Sequence, residues 1–139
     1  MIKQSKYIER ELYEPINLCD GKGLLNRDCI GWARKPIFNC NLSGRWLRKK
    51  KWNYWCITGD ECLFSATISN LDYAGMVFIY FIDFKTKKYI EKTVAAPFGK
   101  GCVMPDNVNE TVLFKNSSMP VSMLHEQNGT HIIADCKDF

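Results

Sequence analysis

The chain has 139 residues, of which 46% are hydrophobic and 24% charged, and these proportions are typical of a single globular domain. No run approaches the ~20 apolar residues of a membrane-spanning helix, and the first residues contain acids without the apolar core of a secretory signal. The net charge of +4 is local, because residues 34–51 hold seven bases and no acid. Membrane, secreted and collagen-like classes are therefore excluded, and we expect a cytoplasmic protein.

The N-terminal segment, residues 1–44, is rich in turn residues, and we expect it to be irregular. A short helix over Tyr7–Tyr13 is an alternative to a loop lying over the core. The composition of Gly31–Cys40 predicts an edge strand, because Pro36 has no backbone N–H to donate and therefore argues against a central strand. Residues 45–139 are predicted to form an antiparallel β meander, with both parts belonging to one domain.

Strand signals become strong after Arg45. Lys51–Thr58 and Leu63–Ser69 alternate between two faces, which is typical of half-buried strands. Met76–Phe84 is apolar on both faces and is predicted to be a central strand. The chain then turns and returns over Tyr89–Val94.

The last part of the chain predicts a long loop followed by a second group of strands. Ala96–Asn109 contains two prolines and two glycines, which favour a loop. Thr111–Lys115, Pro120–His125 and Thr130–Cys136 predict strands, and Asn128-Gly129 indicates a hairpin between the last two. Because the connections are short, we predict an all-β antiparallel meander that closes into a barrel or curves strongly, which would remove the exposed edges.

A family resemblance covers most of the chain. GWARKP at 31–36, RWLRKKKWNYWCI at 45–57, SATISNLDYAGMVFIYFIDF at 65–84, EKTVAAPFGKG at 91–101 and NGTHIIADCKDF at 128–139 resemble the bacterial family catalogued as domain of unknown function 2804. The members of that family are longer, and this chain is similar to their N-terminal part. The family is remotely similar to lipocalin-like calycin proteins, including carotenoid-hydratase-like enzymes, and this similarity implies an eight-stranded barrel.

The fold predicted above suggests a module that binds a small apolar or amphipathic ligand. A closed barrel can enclose one such ligand, and cations beside aromatic rings suit an anionic headgroup. The alternatives are a hydratase or dehydratase acting on a lipid or isoprenoid, and a truncated fragment without independent activity. A purely structural role for the basic and aromatic side chains also stays open, and no nucleic acid partner is expected. The candidate ligand-binding residues are Arg45, Arg48, Trp52, Trp55, Phe64, Phe78 and Tyr80.

Asp72 and Tyr73 are the candidate catalytic pair, because they lie between two long strands where a barrel would have its rim. A carboxyl group beside a phenol suits acid–base chemistry on an alkene or alcohol. The alternative is a turn in which Asp72 bonds its own backbone and Gly75 supplies a free φ. Asp83, in an apolar strand, either finds a lysine partner such as Lys92 or marks the exposed end of the strand.

The seven cysteines are odd in number and are expected to be reduced thiols. They contain no Cys-x-x-Cys pair, so neither a metal nor a cofactor is expected. An open strand edge would favour a homodimer.

Overall fold

A computed structural model describes residues 9–137, and over this range the chain forms ten β-strands and one 3₁₀ helix. Glu9–Tyr13 is not helical, and Tyr7 of the predicted helix lies outside the described range. The strands are β1 Ile16–Asn17, β2 Phe38–Asn39, β3 Lys51–Thr58, β4 Cys62–Asn70, β5 Ala74–Asp83, β6 Tyr89–Pro97, β7 Cys102–Val103, β8 Val112–Phe114, β9 Val121–Glu126 and β10 Gly129–Ala134; the 3₁₀ helix is Arg27–Cys29. The predicted all-β class is therefore confirmed.

The described chain divides into two compact units, of which the smaller comprises residues 9–44 and 106–109. Its strands β1 and β2 pair in parallel, with Ile16 opposite Phe38. The short return segment is joined to β2 by an antiparallel bridge between Asn39 and Asn107. The backbone N–H of Cys40 also donates to the Asp106 carbonyl over 2.8 Å.

The larger unit comprises residues 45–105 and 110–137 of the described chain and contains two four-stranded sheets. The first sheet is antiparallel and has the order β3-β4-β5-β6, so each strand pairs with its neighbour in the chain. The second has the order β10-β9-β8-β7 and is also antiparallel. The predicted hairpin joins β9 to β10, although its two loop residues are Gln127 and Asn128, with Gly129 as the first residue of β10.

The closed barrel predicted from the sequence is not formed by the described strands, because β3 pairs with β4 alone and β10 with β9 alone. The meander breaks after Pro97, where Phe98, Gly99 and Gly101 all have positive φ angles. This tight turn directs β7 towards β8 rather than β6. A Cβ on Gly101 would lie 2.3 Å from the Lys115 carbonyl oxygen, so the close approach of the two backbones requires glycine here.

The hydrophobic core lies between the two sheets of the larger unit. The first sheet contributes Ala66 and Ile68 of β4 and Val77 and Ile79 of β5, all fully buried. The second contributes a set of buried side chains around β8 and β9, namely Val112, Phe114, Met119, Val121 and Met123. One face of the first sheet therefore packs against the core, and its other face points away from it.

Candidate functional site

The outward face of the first sheet carries a row of aromatic side chains. Residues directly opposite each other in adjacent strands share a face, and the register places Tyr54, Thr67, Phe78 and Thr93 in one row across the four strands. The core residues Ala66 and Ile79 belong to the opposite, inner face. We use the name aromatic face for the outward surface carrying Trp52, Tyr54, Phe78, Tyr80 and Tyr89.

The rings of the aromatic face are accessible to solvent. Trp52 is 64% exposed, Tyr89 63%, Tyr54 54% and Phe78 37%. Tyr80 stacks on Tyr89, with ring centroids 5.7 Å apart and the planes inclined by 29°. Large apolar side chains grouped on one exposed surface are typical of a binding site, because they are not required for burial in the core.

Between the rings, β4 contributes a central row of three hydroxyl side chains, Ser65, Thr67 and Ser69. All three are buried, although they lie on the outward face, and Thr67 is only 3% exposed. Among the described residues, the Thr67 hydroxyl has no hydrogen-bond partner. A buried hydroxyl without a partner is unfavourable, so the Thr67 hydroxyl lowers the stability of the fold at this point.

Tyr54 is tied to its neighbours on the aromatic face. The neighbouring Cys56 thiol, together with a small loss of solvent around the ring, raises the pKa of the Tyr54 hydroxyl, while Ser65 acts in the opposite direction. The phenol is therefore protonated at neutral pH and stays available as a donor.

A basic segment, Arg45–Lys51, leads into β3 at one end of this face. It begins with a tight turn in which Arg45 and Leu47 have positive φ angles and the Arg48 N–H donates to the Arg45 carbonyl. Arg45, Arg48 and Lys50 are exposed, whereas Lys49 is partly buried. Because Lys50 precedes Trp52 by two residues, the positive charge continues the line of the rings along β3.

Asp72 and Tyr73, the predicted catalytic pair, both contact the basic segment. A carboxylate oxygen of Asp72 lies 3.4 Å from Lys49 Nζ, and the other accepts a 3.4 Å hydrogen bond from the Lys49 backbone N–H. Lys50 Nζ lies 4.1 Å from the centroid of the Tyr73 ring and 3.0 Å from its hydroxyl oxygen. Both side chains therefore contact lysines that immediately precede β3.

The turn that carries this pair differs from the turn expected from the sequence. The side chain that bonds the turn backbone belongs to Asn70, which accepts from the Asp72 N–H over 2.9 Å, and Asp72 itself has the positive φ angle of 68°. Gly75 lies within β5, where an added Cβ would be 2.7 Å from Cys102 Sγ. Its lack of a side chain is therefore required by close packing, not by a left-handed backbone.

The other predicted ligand-binding residues divide between the two faces. Trp52, Phe78 and Tyr80 lie together on the aromatic face, whereas Trp55 is opposite Ala66 on the inner face and Phe64 packs against the core. The predicted set omitted Tyr54, Tyr89 and the central hydroxyl row. Strict alternation along β3 and β4 was sufficient to assign Tyr54 and the hydroxyl side chains to the same face as Trp52. Tyr89 could be assigned to this face only from the register in which β5 pairs with β6.

Asp83 lies at the end of β5, and its carboxylate accepts a 2.7 Å hydrogen bond from the Thr86 backbone N–H. That bond is the main cause that lowers the pKa of Asp83, and the nearby charge of Lys88 adds to it. The carboxylate therefore stabilises the β5–β6 turn.

In the part of the chain that the structure describes, no three side chains of His, Cys, Asp or Glu cluster in a way that would hold a metal ion. None of the helices over residues 9–137 has the length and apolar character needed to cross a membrane.

The comparison with protein-family models gives one finding. The model described as domain of unknown function (DUF2804) matches residues 9–139, and the chain belongs to this family. Neither the curated proteins nor the solved structures yield a match.

Proposed function

We propose that this member of the DUF2804 family binds an amphipathic ligand with an anionic headgroup on its aromatic face. The observation that carries the proposal is the group of exposed rings on one face of the sheet, next to the basic segment. The apolar body of the ligand would lie on Trp52, Tyr54 and Phe78, and its headgroup would contact Arg48 and Lys50.

Charge complementarity supports an anionic headgroup. Residues 34–51 contain seven bases and no acid. Lys49 is already paired with Asp72, whereas Lys50 is exposed and contacts only the uncharged Tyr73 side chain among the described residues. Its charge is therefore available to a carboxylate or phosphate group, and such a charge-assisted contact is stronger than a neutral hydrogen bond.

The open geometry distinguishes this proposal from ligand capture inside a closed barrel. A ligand on a sheet face keeps one side in solvent, so its affinity depends on the area of each ring that it covers. If the ligand covers about 100 Å² of Trp52, that contact contributes about 2.5 kcal/mol at ~25 cal/mol per Å². Removing the Trp52 side chain should therefore weaken ligand binding by about 60-fold.

The test uses laurate below its micelle concentration, with 1-dodecanol as the uncharged comparison, in calorimetric titrations of the purified full chain. We expect laurate to bind with one-to-one stoichiometry and Trp52→Ala to weaken it by about 60-fold. Lys50→Gln should weaken laurate while leaving dodecanol unchanged. Trp55→Ala is the matched control, because this tryptophan is on the same strand and the opposite face.

Three results would contradict the proposal. One is the absence of saturable laurate binding, and another is equal loss in the Trp52 and Trp55 variants. The third is self-association of the native chain, measured by light scattering, that Trp52→Ala abolishes. That result would make the aromatic face an interface between copies of the chain.

A further inference from the structure

A separate cavity of about 430 Å³ lies beside β6 in the larger unit, and its lining combines polar and charged side chains with apolar ones. The volume is within the range of about 300–1,000 Å³ that is typical of small-molecule sites. Its lining includes Lys92, Ser117, Ser118, Asp135 and Lys137. It includes Thr93 of the outward row but none of the rings of the aromatic face.

Lys92 is the unusual residue of this cavity. It lies opposite Ile79 on the inner face of the first sheet, in the same row as Ala66, and both of these neighbours are fully buried. Lys92 is partly buried, and within residues 9–137 it takes part in no hydrogen bond or ion pair. A partly buried cation without a partner is unfavourable, and an anion in the cavity would supply that partner.

The other walls add hydrogen-bond donors on the side of the second sheet. Ser117 and Ser118 are in a turn that is ordered by a 2.8 Å hydrogen bond from the Ser118 N–H to the Asn116 side chain. Lys137 adds a second positive charge, and Met119 gives the cavity a buried apolar wall. These groups can donate to an anion from several directions.

Asp135 limits which anions fit. Asp135 lines the same cavity, so its lining residues include two bases and one acid. A carboxylate repels a dense polyanion, but it accepts a hydrogen bond from a ligand hydroxyl group. We propose that the cavity around Lys92 binds a small hydroxylated anion, with its acidic group on Lys92 and the serine hydroxyls and its own hydroxyl group on Asp135.

The acidic group could be a carboxylate or a phosphate ester, and three matched probes separate these sources. Glycerate, glycerol 3-phosphate and uncharged glycerol share a hydroxylated body and differ in the acidic group. Each is titrated into the ¹⁵N-labelled full chain, and amide chemical shifts are followed by NMR. We expect saturable shifts at the amides of Ser117, Ser118 and Asp135 with at least one anion and none with glycerol.

Variants assign the binding to the cavity. Lys92→Gln should weaken the bound anion at least tenfold, whereas Lys85→Gln, an exposed lysine in the β5–β6 turn, should leave it unchanged. Asp135→Asn should strengthen glycerol 3-phosphate more than glycerate, because the phosphate carries more charge. Ser118→Ala provides a second loss-of-binding variant if Lys92→Gln loses its dispersed spectrum.

The proposal is overturned if neither anion gives saturable shifts, or if glycerol matches them. It is also overturned if Lys92→Gln is folded and binds as the native chain does, or if both Lys92→Gln and Ser118→Ala fail to weaken binding. The laurate titration concerns the opposite face of the sheet, so success or failure of one experiment leaves the other intact.

Discussion

Replacing Thr67 with valine should stabilise this protein. Thr67 is in the centre of β4, between β3 and β5, and it is 3% exposed. Its hydroxyl has no hydrogen-bond partner in the described part of the chain. Valine has the same branched shape and suits a strand equally well, so the substitution removes only the polarity of one group.

The size of the effect follows from the cost of a buried, unsatisfied hydroxyl. That cost is about 1–3 kcal/mol, and it disappears when an apolar group of the same shape replaces the hydroxyl. The surrounding side chains must accommodate a methyl group in place of the oxygen, which reduces the gain. We therefore expect the free energy of unfolding to rise by about 1–2 kcal/mol and the melting temperature by about 3–6 °C.

The assay is urea unfolding at 25 °C, followed by circular dichroism, with the midpoint and slope fitted for each variant. Thr93→Val is the matched control, because Thr93 lies in the same row of the sheet and its side chain is exposed. Its free energy of unfolding should change by no more than about 0.5 kcal/mol. A loss of stability on Thr67→Val would refute the reasoning, since it would show that the hydroxyl is hydrogen-bonded in the folded protein.

Three further predictions concern packing, thiol reactivity and pH. Gly75→Ala should lower the free energy of unfolding by about 1–3 kcal/mol in urea titrations, since its Cβ would be 2.7 Å from Cys102 Sγ; a stability unchanged within error would argue against this close contact. Iodoacetamide at pH 8, followed by peptide mass spectrometry, should label exposed Cys56 before Cys102, because burial raises the pKa of the Cys102 thiol; equal rates would contradict that order. The hydrogen bond from the Thr86 N–H lowers the pKa of Asp83 in the folded protein. The ionised Asp83 carboxylate therefore stabilises the fold above the ordinary aspartate pKa, and this stabilisation is lost as the pH falls through the lowered pKa of the folded state. Asp83→Asn should therefore reduce the stability difference between neutral and acidic pH, and an identical acid-unfolding profile would count against this role.

The alternation of residue types was sufficient to predict the first two strands of the first sheet. β3 occupies Lys51–Thr58, the same range as the predicted strand, and β4 extends the predicted strand by one residue at each end. Period-two patterning is a property of the local sequence, so it does not depend on how the rest of the chain folds. The same patterning placed Ser65, Thr67 and Ser69 together on the face opposite Ala66 and Ile68, as the structure has them.

Other features depended on contacts between distant residues. The separation into two sheets follows from the turn at Phe98–Gly101, where Gly101 approaches Lys115. The amino-acid composition of this segment predicts a loop, but it gives no information about which distant residue the loop contacts. The burial of Thr67 on an outward face arises because the large side chains of Tyr54 and Phe78 stand on either side of it. A polar residue in an alternating strand would ordinarily be assigned to solvent, so sequence alone could not show the unpartnered hydroxyl.

The two faces of the first sheet therefore carry different consequences for stability. On the inner face, Ile68 is fully buried and gains the whole hydrophobic contribution of its side chain, about 1.5–3 kcal/mol. On the outward face, Trp52 stays 64% exposed, so most of its ring contributes little to folding while enlarging an apolar surface that favours association. Folding stability therefore gives no reason for placing Trp52, Tyr54 and Phe78 around a buried hydroxyl that itself costs free energy. A ligand that covers the rings accounts for their position, and because the alkyl chain of laurate has no group that could bond to Thr67, stability should rise in Thr67→Val while laurate binding stays unchanged.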